Sequence, residues 1–122
     1  MPHSSEFVDF LLEQMQSGGL DATQLRAKRM FGGYGIYFGE QMFALVADEV
    51  LYFKVADNNR AAFNARDLPA FQYERSGKQY AMSYHEAPAE VLDEPDAMRS
   101  WADAAIDAAR MAKHGDKRKR RR

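Results

Sequence analysis

The run Ser83-Tyr84-His85-Glu86 brings together a hydroxyl, an imidazole and a carboxylate, the groups that nucleophilic hydrolysis uses. On a strand, Ser83 and His85 share a face with side chains about 7 Å apart, too far for direct proton transfer, and Glu86 turns to the other face. The run therefore reads as polar positions on a half-buried strand, and the chain contains no Gly-x-Ser-x-Gly elbow. Met30-Phe31-Gly32-Gly33-Tyr34-Gly35 is glycine-rich enough to suggest a phosphate cradle. A phosphate site needs a helix after its glycines, whereas Ile36-Tyr37-Phe38 continues as strand. A tight turn, followed by a strand glycine that makes room for a neighbouring aromatic ring, explains the motif better. His3, His85 and His114 lack second ligands at metal-binding spacing. Asp93, Glu94 and Asp96 lack the alternating oxygen ligands and central glycine of a calcium loop, and they read as helix-capping acids. No catalytic residue, cofactor or metal is predicted.

Tyr34, Tyr37, Tyr52, Tyr73, Tyr80 and Tyr84, with Lys54, Arg75 and Lys78, could form a base-stacking platform on a sheet. Apart from its C-terminal end the chain is net acidic, so core packing and cross-strand pairing are the preferred roles for these rings. Lys117, Arg118, Lys119, Arg120, Arg121 and Arg122 are the stronger nucleic-acid candidates. They can attract phosphate in a salt-dependent way without reading bases, and a solvated charged end accounts for them equally well.

The elements that hold these residues follow from periodicity. Phe7, Val8, Leu11, Leu12 and Met15 repeat at helical spacing, and Ser17-Gly18-Gly19 closes that helix, predicted over 4–15. Aromatic and β-branched runs then predict strands over 26–31, 34–38, 42–47 and 50–55, joined at Gly32-Gly33, Gly39-Glu40 and Asp48-Glu49. In the third strand, alternation sets Phe43 and Leu45 opposite Met42, Ala44 and Val46. The third and fourth strands are apolar on both faces, which calls for cover on both sides: helices on one, a subunit interface on the other.

Asp57 is the expected start of a short helix whose apolar side is Ala61, Ala62 and Phe63. A hairpin follows, turning at Ser76-Gly77, with Tyr80, Met82 and Tyr84 on one face of its second strand. After Pro88 and Pro95, a long helix carries Met98, Trp101, Ala102, Ala105, Ile106 and Ala109. The predicted fold is α+β, a mostly antiparallel sheet of about five to six strands flanked by N-terminal and C-terminal helices. Residues 1–112 form the domain, and 113–122 are expected to be a disordered basic tail because they lack apolar residues.

The chain has 122 residues, no cysteine and a net charge of −1. One core is expected, and disulfides, thiol catalysis and cysteine metal sites are excluded. No secretory signal or membrane span is read, so a cytoplasmic location is expected.

Several blocks taken together have a specific order and spacing: Arg29-Met30-Phe31-Gly32-Gly33-Tyr34-Gly35, Met42-Phe43-Ala44-Leu45-Val46, Leu51-Tyr52-Phe53-Lys54-Val55, Asn59-Arg60, Tyr73, and Ala81-Met82-Ser83-Tyr84 before Pro88. Over about residues 5–112 they resemble the N-terminal domain of the TfoX/Sxy competence regulators. The resemblance implies a small bacterial α+β domain, secretion-chaperone-like, with no known enzymatic activity. Full-length members act as transcriptional co-regulators with the cyclic-AMP receptor protein and carry a second domain, related to helix–hairpin–helix modules, which the resemblance does not cover.

The leading functional expectation is a non-enzymatic regulatory adaptor that binds a protein partner, from the transcription machinery or a second copy of itself. The alternatives are a nucleic-acid accessory protein using the basic tail, and an enzyme or small-ligand binder around Gly32–Gly35 or Ser83–His85.

Overall fold

The structure is a computed structural model that describes residues 3–30 and 32–120, with side chains for 6–30 and 32–112. In chain order it has α1 (His3–Ser17), β1 (Leu25–Met30), β2 (Gly33–Phe38), β3 (Gln41–Ala47), β4 (Val50–Lys54), α2 (Arg60–Ala65), β5 (Ala70–Arg75), β6 (Lys78–Glu86), a 3-10 turn (Ala89–Leu92) and α3 (Pro95–Arg120). The strands form one antiparallel sheet in the order β1-β2-β3-β4-β6-β5. The α+β architecture expected from periodicity is therefore the architecture of the chain.

The β3–β4 and β5–β6 turns and the ends of two helices have local causes. Asp48 and Glu49 both adopt positive φ, as do Ser76 and Gly77, the backbone that two-residue hairpins need to follow the sheet's right-handed twist. α1 ends where Gly19 takes φ +109 and the Leu20 amide donates back to the Met15 carbonyl at 3.1 Å. α3 begins at Pro95, whose missing N–H costs nothing in a first turn, and the Met98 amide donates to the Glu94 carbonyl at 2.9 Å.

The core lies between the sheet and its helices. Val8, Leu11 and Met15 from α1 and Met98, Ala102, Ala105 and Ile106 from α3 bury against Ile36, Ala44, Val46, Leu51 and Phe53 of the central strands. The alanine stripe lets α3 approach the sheet closely. Phe63 of α2 joins this core and meets Trp101 edge-on at 5.0 Å.

Three local expectations need correction. Phe43 does not share a face with Leu45: pairing steps from Ile36↔Ala44 to Tyr37↔Met42, so Phe43 is the extra residue of a β-bulge. It is fully buried in the helix-side core beside Ala44. α2 begins after Asn59 rather than at Asp57, and Ala61 and Ala62 are exposed, leaving Phe63 as its one buried side chain. The glycine at position 35 makes room for thioethers and not for a ring, since a Cβ there would meet the sulfurs of Met42 at 2.8 Å and Met30 at 3.3 Å. The expected tail over 113–122 falls on residues whose side chains, and for Arg121 and Arg122 whose backbone, lie outside the described residues; the bounds of α3 run to Arg120.

Candidate functional site

Register assigns every strand an inner and an outer side. Leu25 and Ala27 of β1 turn toward the core, so Arg26, Lys28 and Met30 take the outer side, and pairing carries that side across Tyr37 and Gly35, Met42 and Leu45, Tyr52 and Lys54, to Tyr84 and Glu86. Among the described residues no helix packs on this outer side. α1 and α3 pack on the opposite side. No helix is long and apolar enough to cross a membrane, among the described residues.

The outer side is built largely from aromatic, thioether and cationic groups. Leu45 and Tyr84 are only 6% and 7% exposed there, covered by neighbouring side chains. Tyr52 meets Phe71 edge-on at 5.0 Å, Phe71 lies near-parallel to Tyr73 at 6.4 Å, and Tyr73 packs across the hairpin on Tyr80 at 5.6 Å. Arg26 sits over the Tyr37 ring at 5.0 Å, and Lys54 over the Tyr84 ring at 5.1 Å. Beyond Ala70, both strands of the β5–β6 hairpin are largely exposed, and its tip carries Arg75 and Lys78 around Ser76-Gly77.

Two phenols on this side hold their protons more tightly than an ordinary tyrosine. Burial, with a smaller contribution from Tyr37, pushes Tyr84 up to about 12, and its hydroxyl donates to the Met42 carbonyl at 3.3 Å. Tyr52 is raised by burial first and then by the nearby carboxylates of Glu86 and Asp48. These are ring-packing and hydrogen-bonding roles. The face offers apolar contact, hydrogen bonds and positive charge.

The hydroxyl, imidazole and carboxylate of 83–86 are not assembled into a relay. Lys54 Nζ donates to Ser83 Oγ at 2.6 Å, His85 Nδ1 lies 2.8 Å from the Leu68 carbonyl beside the Phe63 ring, and Glu86 belongs to the outer side. The Gly32–Gly35 stretch makes a turn and a close strand approach: Gly32 has φ +77, and a Cβ on Gly33 would lie 2.1 Å from the Val46 carbonyl oxygen. Among the described residues no histidine and carboxylate group could hold a metal ion. The side chains of His3, His114, Lys117, Arg118, Lys119 and Arg120, and all of Arg121 and Arg122, lie outside the described residues.

A cleft of about 360 Å³ opens between the α1–β1 connection and α3. Its charges are engaged with one another: Arg99 pairs with Asp103 at 2.8 Å and donates to the Gly18 carbonyl at 3.1 Å, while Arg110 lies 3.7 Å from Asp107. Asp21, also at this cleft, accepts from the hydroxyl and amide of Thr23, which lower its carboxyl below the usual range.

Sequence reasoning named Tyr37, Tyr52, Tyr73, Tyr80, Tyr84, Lys54, Arg75 and Lys78 but missed Arg26, Lys28, Met30, Met42 and Phe71 as members of the same face. The alternation Leu-Arg-Ala-Lys at 25–28 carried the signal, since it sends apolar residues one way and cations the other. A comparison with curated proteins returned no match. The profile of the TfoX N-terminal domain matches residues 19–109, from the end of α1 through most of the apolar stripe of α3. With that match covering most of its length and the expected helix–sheet–helix order in place, the chain belongs to the TfoX N-terminal domain family.

Proposed function

We propose that this domain is a non-enzymatic regulatory adaptor of the cytoplasm, which binds a protein partner through the outer side of its sheet. The observation that carries the reading is the one-sided cover of that sheet. Helices bury the inner side, while the outer side presents Met30, Met42, Tyr52, Phe71, Tyr73 and Tyr80 with no helix over them among the described residues. Partly exposed rings and thioethers gathered on one surface are favourable material for a binding core. The resemblance to competence co-regulators supplies the candidate partners: RNA polymerase and the cyclic-AMP receptor protein.

Photocrosslinking tests the reading. Benzoylphenylalanine in place of Tyr73 on the outer side, or of Phe10 on the exposed side of α1, is incubated with each purified candidate. Adducts from position 73 and none from position 10 are expected. Adducts from position 10 alone, or from neither position with any candidate, overturn the reading.

A further inference from the structure

We infer that the element seated on the outer side of the sheet is an acidic amphipathic helix of the partner. The inference rests on the adaptor reading above and adds the chemistry of what that face receives.

Charge gives the first argument. The chain as a whole has a net charge of −1, yet Arg26, Lys28, Lys54, Arg75 and Lys78 fall on the outer side or at the tip of its hairpin. Among the strand residues of this side the opposing carboxylate is Glu86; Glu40, Asp48 and Glu49 lie in the turns at the ends of the sheet, and Glu74 takes the other side of the hairpin. Acids such as Glu6, Asp9 and Glu13 are exposed on α1, on the other side of the molecule. A surface whose cations are segregated in this way favours an anionic partner and repels a copy of itself laid face to face.

Dimensions give the second. Arg26 and Lys28 on β1 and Lys54 on β4 are separated by three interstrand steps, about 14 Å. Between them lie Gly35, Met42 and Leu45, with the Met30 and Met42 sulfurs over the glycine. A helix about 10–12 Å wide, laid along the strands, sets its apolar stripe on the Met30 and Met42 side chains that lie over the buried Gly35, and its acidic flanks beside the cations. Methionine side chains adapt to such a stripe better than branched ones.

The rings decide against a nucleic acid. A base platform needs free aromatic faces. Here Tyr37 and Tyr84 already carry Arg26 and Lys54, and Tyr52, Phe71, Tyr73 and Tyr80 pack on one another. The outer surface of α1 in a second copy does not supply the helix either, because its apolar stripe of Val8, Leu11 and Met15 is buried in its own core.

The test uses fluorescence anisotropy with the full chain and three labelled probes: a roughly 20-residue helical peptide with a leucine stripe and glutamate flanks, the same peptide with lysine flanks, and a single-stranded oligothymidine of about 20 nucleotides. The glutamate peptide is expected to bind about tenfold or more tighter than the lysine peptide, and more weakly as salt rises. The double variant Arg26→Glu/Lys28→Glu reverses that preference while its melting temperature stays near the parent's. Lys54→Glu, on the other flank of the seated helix, weakens glutamate-peptide binding in the same direction and serves if the first variant fails to fold. Equal binding of the two peptides, or tighter binding of oligothymidine abolished by the same variants, overturns the inference. Adducts from position 73 with a candidate partner, alongside failure of the glutamate peptide, overturn the inference and leave the adaptor reading standing; failure of both removes both.

Discussion

The hydroxyl of Tyr84 on β6 reaches across β4 and donates to the main-chain oxygen of Met42 on β3, 3.3 Å away. This bond ties together strands that are not neighbours and requires a protonated phenol. Burial pushes Tyr84 up to about 12, above the ordinary tyrosine value of 10.0. The folded state therefore favours the neutral form, and its contribution is complete below pH 10 and lost as pH rises from there toward 12. That contribution is on the order of 2 kcal/mol. Urea unfolding midpoints of the parent should fall across this window, and Tyr84→Phe should flatten most of the decline. Some slope remains from Tyr52, whose phenol is raised as well. An unchanged slope in Tyr84→Phe would assign the alkaline loss elsewhere.

Among the described residues Asn59 is the buried polar side chain, and both ends of its amide are used. Its Oδ1 accepts from the Ala56 amide at 2.8 Å and its Nδ2 donates to the Lys54 carbonyl at 3.0 Å, which fixes the path from β4 into α2. Asn59→Ala should cost about 2–3 kcal/mol by stranding both backbone groups. Asn59→Asp keeps one bond but sets a carboxylate near the Lys54 carbonyl, so it should cost at least as much. Denaturant titration of the two variants checks the order.

Two glycines separate crowding from backbone strain. A Cβ at Gly33 would lie 2.1 Å from the Val46 carbonyl oxygen, so Gly33→Ala must displace β2 from β3 and should give little soluble protein or a much lower melting temperature. Gly77 has φ +78 and nothing within 4 Å of its added Cβ. Gly77→Ala should therefore cost only about 1 kcal/mol, the penalty of the left-handed backbone alone. Thermal melts of the pair decide whether the two act by different means.

Arg66 grips Glu90, with Nη2 to Oε1 at 2.7 Å, and spreads over the Trp101 ring at 5.6 Å from its centroid. The guanidinium holds the Glu90 carboxyl below its usual range, so the pair's contribution is present at neutral pH and is lost on acidification. Glu90→Gln should shift the neutral-pH melting temperature little, because exposed pairs contribute weakly. Arg66→Ala should shift it more and move the emission of the single tryptophan to longer wavelength, since it uncovers Trp101. Equal effects of the two variants would assign the whole role to the ion pair.

Much of the fold was legible because its signals are local. The turns at Asp48-Glu49 and Ser76-Gly77, the helix end at Gly18-Gly19 and the stripe of α3 each sit within a few residues of what they specify. Phe43 escaped because alternation assumes one residue per step, and a bulge inserts an extra one without marking its composition. Ala61 and Ala62 looked like an apolar side because alanine fits buried and exposed helix positions alike. The cationic face was the least legible part. Arg26, Lys54 and Lys78 lie on strands far apart in sequence, and only the register brings them to one side. An acidic total over the chain conceals such segregation.

With α1 and α3 both stacked behind the strands, Phe10 and Met111 point away from that layer, 41% and 43% exposed. The chain has no cysteine, so Phe10→Cys or Met111→Cys would create a unique anchoring thiol. Molecules tethered to a sensor surface through either thiol would be oriented with the bare strands toward the flowing analyte.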